Sequence, residues 1–255
     1  MEVILEAKGL CKSYAISREL ENHVLKDVDI KIGKGEFIAI MGHSGSGKST
    51  LLYNLSGMDQ KSSGFVYFDG RDISDLDDRE MSLLRLTRMG FVFQHAHLLK
   101  NLSIRDNIIL PAIKAALRPK EEILKDADGL IKKLGIDKVS DRDINRISGG
   151  QQQRAAICRA LINRPDILFC DEPTGALNSS AALEVMDILN AINREGTTIL
   201  LVTHDVKVAA RADRVIFLSD GSIEAECVLG KYHGNAIELK NRESRLLDWL
   251  TERGF

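Results

Sequence analysis

Eight residues, Gly42-His43-Ser44-Gly45-Ser46-Gly47-Lys48-Ser49, match the pattern G-x-x-x-x-G-K-[ST] at every fixed position. No other stretch restricts the fold so strongly, because the pattern works only as a turn between a buried strand and a helix. Both flanks are present. Phe37-Ile38-Ala39-Ile40-Met41 is an unbroken apolar run of strand length, and Thr50-Leu51-Leu52-Tyr53-Asn54-Leu55 opens a helix. In such a turn the glycines let successive N–H groups point inward at phosphate oxygens, and the helix N-terminus adds partial positive charge. Residues 42–50 are therefore expected to cradle a nucleotide, with Lys48 reaching the β- and γ-phosphates and the Ser49 hydroxyl on Mg²⁺.

The chain around this loop alternates strands and helices. Residues 4–10 and 24–32 read as strands, the second with Val28, Ile30 and Ile32 at period two before a Gly33-Lys34-Gly35 turn. Tyr14 closes the first of them, with packing as its plain role. Residues 65–68 form another strand, followed by an Asp69-Gly70 turn, a helix over 77–87 and a short strand over 90–93 that ends at Gln94. Residues 95–147 then carry helical patterning, with Ile123, Leu124, Ala127, Leu130, Ile131 and Leu134 on one stripe and with Pro111 and Pro119 as internal breaks. This segment is expected to be an inserted helical subdomain.

Alternation resumes with a helix over 149–163, a buried strand over 167–171, a helix over 180–194, a strand over 198–202, a helix over 206–212 and a strand over 214–218. That order implies an α/β fold whose mostly parallel sheet is covered on both faces. Ligands in such sheets lie beyond the carboxyl ends of the strands, where Gly42, Asp171 and Thr203-His204 all fall. Domain organisation is read as one nucleotide-binding unit over 1–230 and a tail over 231–255. In the tail, residues 238–253 form a helix with Leu246, Leu247 and Leu250 on one side and Arg242, Glu243, Arg245 and Glu252 on the other. Packing on its own core and service as a partner surface both remain open for this helix, with Trp249 the residue of interest.

Bulk properties exclude several classes. With 44% hydrophobic and 28% charged residues in 255, and only 4 prolines, the chain has the composition of a globular protein able to bury a large core. A net charge of −2 gives no overall attraction to nucleic acid or to an anionic membrane. No apolar run reaches spanning length and the start lacks a signal peptide's pattern, so the expected location is the cytosol. Cys11, Cys158, Cys170 and Cys227 lack zinc-ligand spacing and are expected to be reduced and structural.

Two further stretches carry chemistry. Asp171 ends an apolar strand, where a carboxylate can hold Mg²⁺ opposite Ser49, and Glu172 directly after it is placed to deprotonate a water attacking the γ-phosphate. The bland alternative for the pair is a strand-end turn. Ser148-Gly149-Gly150-Gln151 offers backbone N–H groups at a helix start, a second anion site with no use for the phosphates already held by the cradle. Alone it would be an ordinary helix cap.

It does not stand alone. Residues 42–49, Gln94, Ile147-Ser148-Gly149-Gly150-Gln151-Gln152-Gln153-Arg154, Asp171-Glu172-Pro173-Thr174 and His204-Asp205, in that order, resemble an ATP-binding-cassette transporter ATPase over nearly the whole chain. The resemblance implies a RecA-like core, an antiparallel β subdomain, a helical subdomain, and two subunits that sandwich two ATP molecules head to tail. It implies that Tyr14 stacks on adenine, that Gln94 senses Mg²⁺ and the attacking water, that His204 contacts the γ-phosphate, and that residues 148–151 bind ATP across the dimer. Gly90-Phe91-Val92-Phe93-Gln94, Asn107-Ile108-Ile109-Leu110-Pro111 and Pro173-Thr174-Gly175-Ala176-Leu177-Asn178 are similar to the branch serving lipoprotein release, macrolide export and bacitracin resistance. Ile147 replaces the commoner Leu, and Asn178 stands where most relatives carry Asp, which keeps the capping capacity but loses the charge.

The expected partners are a second copy of the chain and a separate membrane permease, placing the protein at the cytoplasmic face of the membrane. His95, His97, Leu98, Leu99 and Leu102 are candidates to line the permease dock, with core packing the alternative for the leucines. A cell-division regulator that moves no substrate shares this architecture. Action on DNA or ribosomes would call for coiled coils, tandem cassettes or a basic stripe, none of which is present.

Overall fold

A computed structural model describes residues 2–15, 17 and 21–255; Met1, where the sequence reading starts the domain, lies outside the described residues. Strands β1 (Val3–Ala15) and β2 (Glu21–Gly33) open the chain, followed by β3 (Phe37–Met41) and helix α1 (Lys48–Leu55). Then come β4 (Ser63–Phe68), β5 (Arg71–Asp72), α2 (Asp78–Arg88) and β6 (Met89–Phe93). The helical stretch holds α3 (Ile104–Ala115) and α4 (Lys120–Lys133), and α5 (Gly149–Leu161) leads back to β7 (Ile167–Asp171). The rest is α6 (Ser179–Arg194), β8 (Thr198–Val202), α7 (Val206–Ala209), β9 (Arg214–Ser219), β10 (Ser222–Val228) and α8 (Ala236–Thr251).

These form two sheets, a four-stranded antiparallel one in the order β2-β1-β4-β5 and a six-stranded one in the order β10-β9-β3-β8-β7-β6. The four pairings of the larger sheet among β9, β3, β8, β7 and β6 are parallel, and only β10 runs antiparallel. The apolar runs that showed no alternation in the sequence are buried on both faces. Phe37, Ala39 and Met41 of β3, with Leu168, Cys170, Leu201 and Phe217, belong to a core shared with the helices; Ile38 and Ile40, with Phe169, Leu200 and Ile216, belong to a second core shared with the antiparallel sheet and α1.

The helical stretch joins the first core. Ile104, Ile108 and Ala112 of α3, and Ile123, Ala127 and Ile131 of α4, fall on its stripe and are buried. Pro119 caps the start of α4 as a break should, but Pro111 sits inside α3, which continues past it to Ala115. An interior proline costs about 3 kcal/mol; the burial of apolar residues on both sides of Pro111 offsets that here.

Three other expectations change. Helix α7 stops at Ala209, before the expected Ala212, because the Asp213 N–H turns to the Phe37 carbonyl and draws the chain into the sheet. The sequence reading gave no strand after Leu218, yet β10 pairs with β9 through a tight turn at Asp220 (φ 47°) and Gly221 (φ 84°). On α8, Leu246 and Leu250 are fully buried in the first core, but Leu247 is exposed and Arg242, assigned to the outer face, is buried. Its guanidinium donates to the carbonyls of Ala210, Ala212, Leu229 and Gly230, chain ends that no helix or strand satisfies. The four cysteines are free, three of them buried, and burial pushes the Cys158 thiol up to about 12.

Candidate functional site

The parallel strands deliver their carboxyl ends to one rim of the sheet, and the candidate residues collect there. Between β3 and α1 the chain makes the tight loop that the motif requires. Gly42 has φ 154°, and a Cβ on it would lie 2.0 Å from the Leu218 carbonyl oxygen; Gly47 has φ 99° and caps α1, with the Val24 carbonyl oxygen 2.9 Å from where a Cβ would sit. Neither position admits a side chain. Lys48 Nζ folds back over the loop and donates to the carbonyls of Gly42 (2.8 Å) and His43 (2.7 Å). Burial lowers the Lys48 pKa, against the opposing pull of Glu172 and Asp171. Ser46 Oγ is buried with no hydrogen-bond partner, a polar atom of the loop with a bond still to make.

His43 faces the other way. Its ring lies 5.9 Å from that of Phe217 on β9 and 5.6 Å from that of Phe255, and Phe217 also meets Trp249 of α8 at 6.3 Å. The tail that looked separable in the sequence thus packs on the back of the cradle.

Asp171 ends β7, two strands from β3 with β8 between them. Ser49 Oγ donates to its Oδ1 at 2.9 Å and Tyr53 Oη to its Oδ2 at 2.7 Å. Tyr53 was not singled out in the sequence, although it stands four residues after Ser49 and so shares its helical face. Burial and the facing carboxylate push the Tyr53 phenol up to about 12. Among the described residues no group of three or more His, Cys, Asp or Glu side chains could hold a metal alone. A hydroxyl and a carboxylate already 2.9 Å apart are nevertheless hard oxygen donors that suit Mg²⁺, which keeps most of its shell as water and substrate phosphate.

Glu172 takes a left-handed backbone conformation at φ 47°, unusual for a residue with a side chain and of a kind that concentrates at functional sites. Its Oε1 lies 2.7 Å from His204 Nδ1 and accepts from the His204 backbone N–H at 3.1 Å, while Thr203 Oγ1 donates to Oε2 at 3.3 Å. The structure therefore joins two residues that the sequence separates by a helix and a strand. Gln94 arrives from β6, whose Phe93 is in register with Asp171, and a Cβ on Gly175 would lie 3.1 Å from Gln94 Nε2. Tyr14 is exposed and donates to Asp59 Oδ2 at 2.6 Å, with Lys12 Nζ 4.5 Å from its ring centroid. Asp59, which anchors both, escaped the sequence reading because its partners lie more than forty residues away.

Residues 148–151 stand at the start of α5 and, among the described residues, make no hydrogen bond to residues 42–50. Ser148 caps α5 in a reciprocal box with Gln151, and side chains placed on Gly149 and Gly150 would meet Leu177 and Ala181. Asn178 caps α6 by accepting from the Ala181 N–H. Of the residues expected at the permease dock, Leu98 packs on the first core, Leu99 is exposed, and His95 and His97 stand exposed with their rings 6.2 Å apart. A nearby groove, about 370 Å³, is lined by Met58, Leu86, Phe91, Phe93, Pro111 and Arg159 among others.

Comparison with known proteins gives this arrangement its context. The family model described as ABC transporter matches residues 25–175. The macrolide export ATP-binding/permease protein MacB of Nitrosomonas europaea is 46% identical over 226 residues, which are 88% of this chain and 34% of that protein. MacB of Campylobacter fetus is 44% identical over 86% of this chain and 34% of its own length, so the chain spans about a third of these relatives. Among solved structures, the dimeric post-hydrolysis state of the ATP-binding cassette MJ0796 bound to ADP and Pi has a TM-score of 0.82 at 38% identity, covering 90% of this chain and 100% of that one. CbiO1 of Clostridium perfringens, part of the ABC transporter complex cbiONQ, has a TM-score of 0.78 at 32% identity, covering 89% of this chain and 88% of that one. With the fold, the cradle and relatives above 30% identity in agreement, the chain belongs to the ABC transporter family.

Proposed function

We propose that the chain binds and hydrolyses ATP and that this powers a membrane permease. One observation carries the reading. Ser49 bonded to Asp171, and Glu172 bonded to His204, stand side by side at the strand ends beyond a loop built for phosphate. Lys48 would exchange its two carbonyl partners for β- and γ-phosphate oxygens, and Tyr14 would offer its ring to adenine. Ser49 and Asp171 would hold Mg²⁺, with Gln94 beside them. That ion supplies positive charge against the phosphates. Glu172 leaves His204 to accept a proton from the attacking water, and His204 turns to the γ-phosphate.

Residues 148–151 would complete the site of a second copy, since the Ser148 and Gln151 side chains bond within the start of α5 and leave the helix's first N–H groups to a ligand from elsewhere. The apolar groove behind Gln94 would seat the permease and place the whole at the cytoplasmic face of a membrane. Relatives named for macrolide export support an exporter or extractor of a macrolide, antimicrobial peptide or lipoprotein.

The test is ATP turnover by the purified chain with Mg²⁺, alone and for Glu172→Gln. Turnover that survives Glu172→Gln undiminished overturns the assignment of the base.

A further inference from the structure

Two hydroxyls of α1 reach one carboxylate. Ser49 takes Oδ1 of Asp171 and Tyr53, one helical turn on, takes Oδ2. The two donors differ in what holds them. Ser49 is a short side chain at the edge of the cradle, free to turn about one bond toward an ion. Tyr53 is half-buried with its ring packed against the second core, so its hydroxyl stays where the core puts it.

We propose that Tyr53 is a positioning residue of the metal site: by holding Oδ2 it fixes the Asp171 carboxylate so that Oδ1 faces the ion that Ser49 also serves. This rests on the reading of Asp171 as the Mg²⁺ carboxylate. An outer hydrogen bond settles the orientation of a ligand before the metal arrives, and loss of such partners typically lowers metal affinity 10–100-fold. One neutral donor on a carboxylate already anchored at a strand end belongs at the lower end of that range. The competing role, packing alone, uses the ring and not the hydroxyl. Phe supplies the same ring.

Binding of a fluorescent ATP analogue is measured in EDTA and in saturating Mg²⁺ for the full chain, for Tyr53→Phe and for Asp171→Asn. The ratio of the two affinities reads the metal's contribution. Tyr53→Phe is expected to lower the ratio about tenfold, with affinity in EDTA and melting temperature unchanged. A ratio equal to that of the parent chain, or an equal loss in EDTA, overturns the role of the hydroxyl. Asp171→Asn separates this failure from that of the underlying reading: if it too leaves the ratio unchanged, Asp171 does not serve the metal and both fall together.

Discussion

Lys48 spends two of its three ammonium protons inside its own loop, on the carbonyls of Gly42 and His43, so an arriving phosphate must displace bonds that already exist. The exchange favours phosphate because a full negative charge replaces two neutral carbonyls. Lys48→Ala should therefore weaken binding of a fluorescent ATP analogue by about 100-fold, the loss of one strong charge-assisted contact. Thermal melting of the same protein should stay within about 2 °C, since the lysine ties only a partly exposed loop to itself. Unchanged affinity would remove the cradle assignment. At this scale the sequence was highly legible. Gly42, Lys48, Ser49, Asp171 and Glu172 announce themselves by spacing, whereas Tyr53 and Asp59 act through single contacts across the fold that no local pattern records.

Helix α8 illustrates where legibility failed among the elements. Period 3.6 located it and its two deepest leucines, but a helical wheel ranks arginine as polar and turns it outward. What decides the matter for Arg242 is a demand made elsewhere, by four carbonyls at the ends of α7, β9 and β10. Arg242→Ala would leave those acceptors buried without a donor and should destabilise the fold by about 3 kcal/mol, measured by urea unfolding. Deletion after Gly234 should be harsher. It uncovers the core face that Leu246 and Leu250 close, and the expected result is loss of soluble protein; a soluble, cooperatively folding truncation would show that the helix is dispensable. The same contrast holds for β10, which the sequence reading passed over although Ile223, Ala225 and Cys227 alternate with Glu224 and Glu226 after the Asp220-Gly221 hairpin turn. Pro111 misled in the opposite sense, because a local cost was read without the burial that opposes it.

At the scale of the whole molecule the helix start at residues 148–151 is the decisive feature. If residues 148–151 grip the γ-phosphate of a second copy, ATP joins two chains and ADP does not. Glu172→Gln keeps size and hydrogen bonding while removing the base, so light scattering should find a dimer with ATP and a monomer with ADP. Gly149→Asp added to it should abolish the dimer without emptying the cradle. The fold tolerates that change, since a Cβ at Gly149 meets only Leu177 Cδ2 at 3.6 Å. A dimer indifferent to nucleotide, or one that survives the added aspartate, would return Ser148 to the status of a helix cap. The aromatic contacts behind the cradle make such states visible without a label. The sequence holds one tryptophan, Trp249, and its ring meets Phe217, which meets His43 of the phosphate loop. Arg253 lies 4.3 Å from the same indole, close enough for a small displacement to change its emission. The protein thus carries an optical reporter two ring contacts from its nucleotide, and its intrinsic fluorescence should follow loading of the cradle in real time.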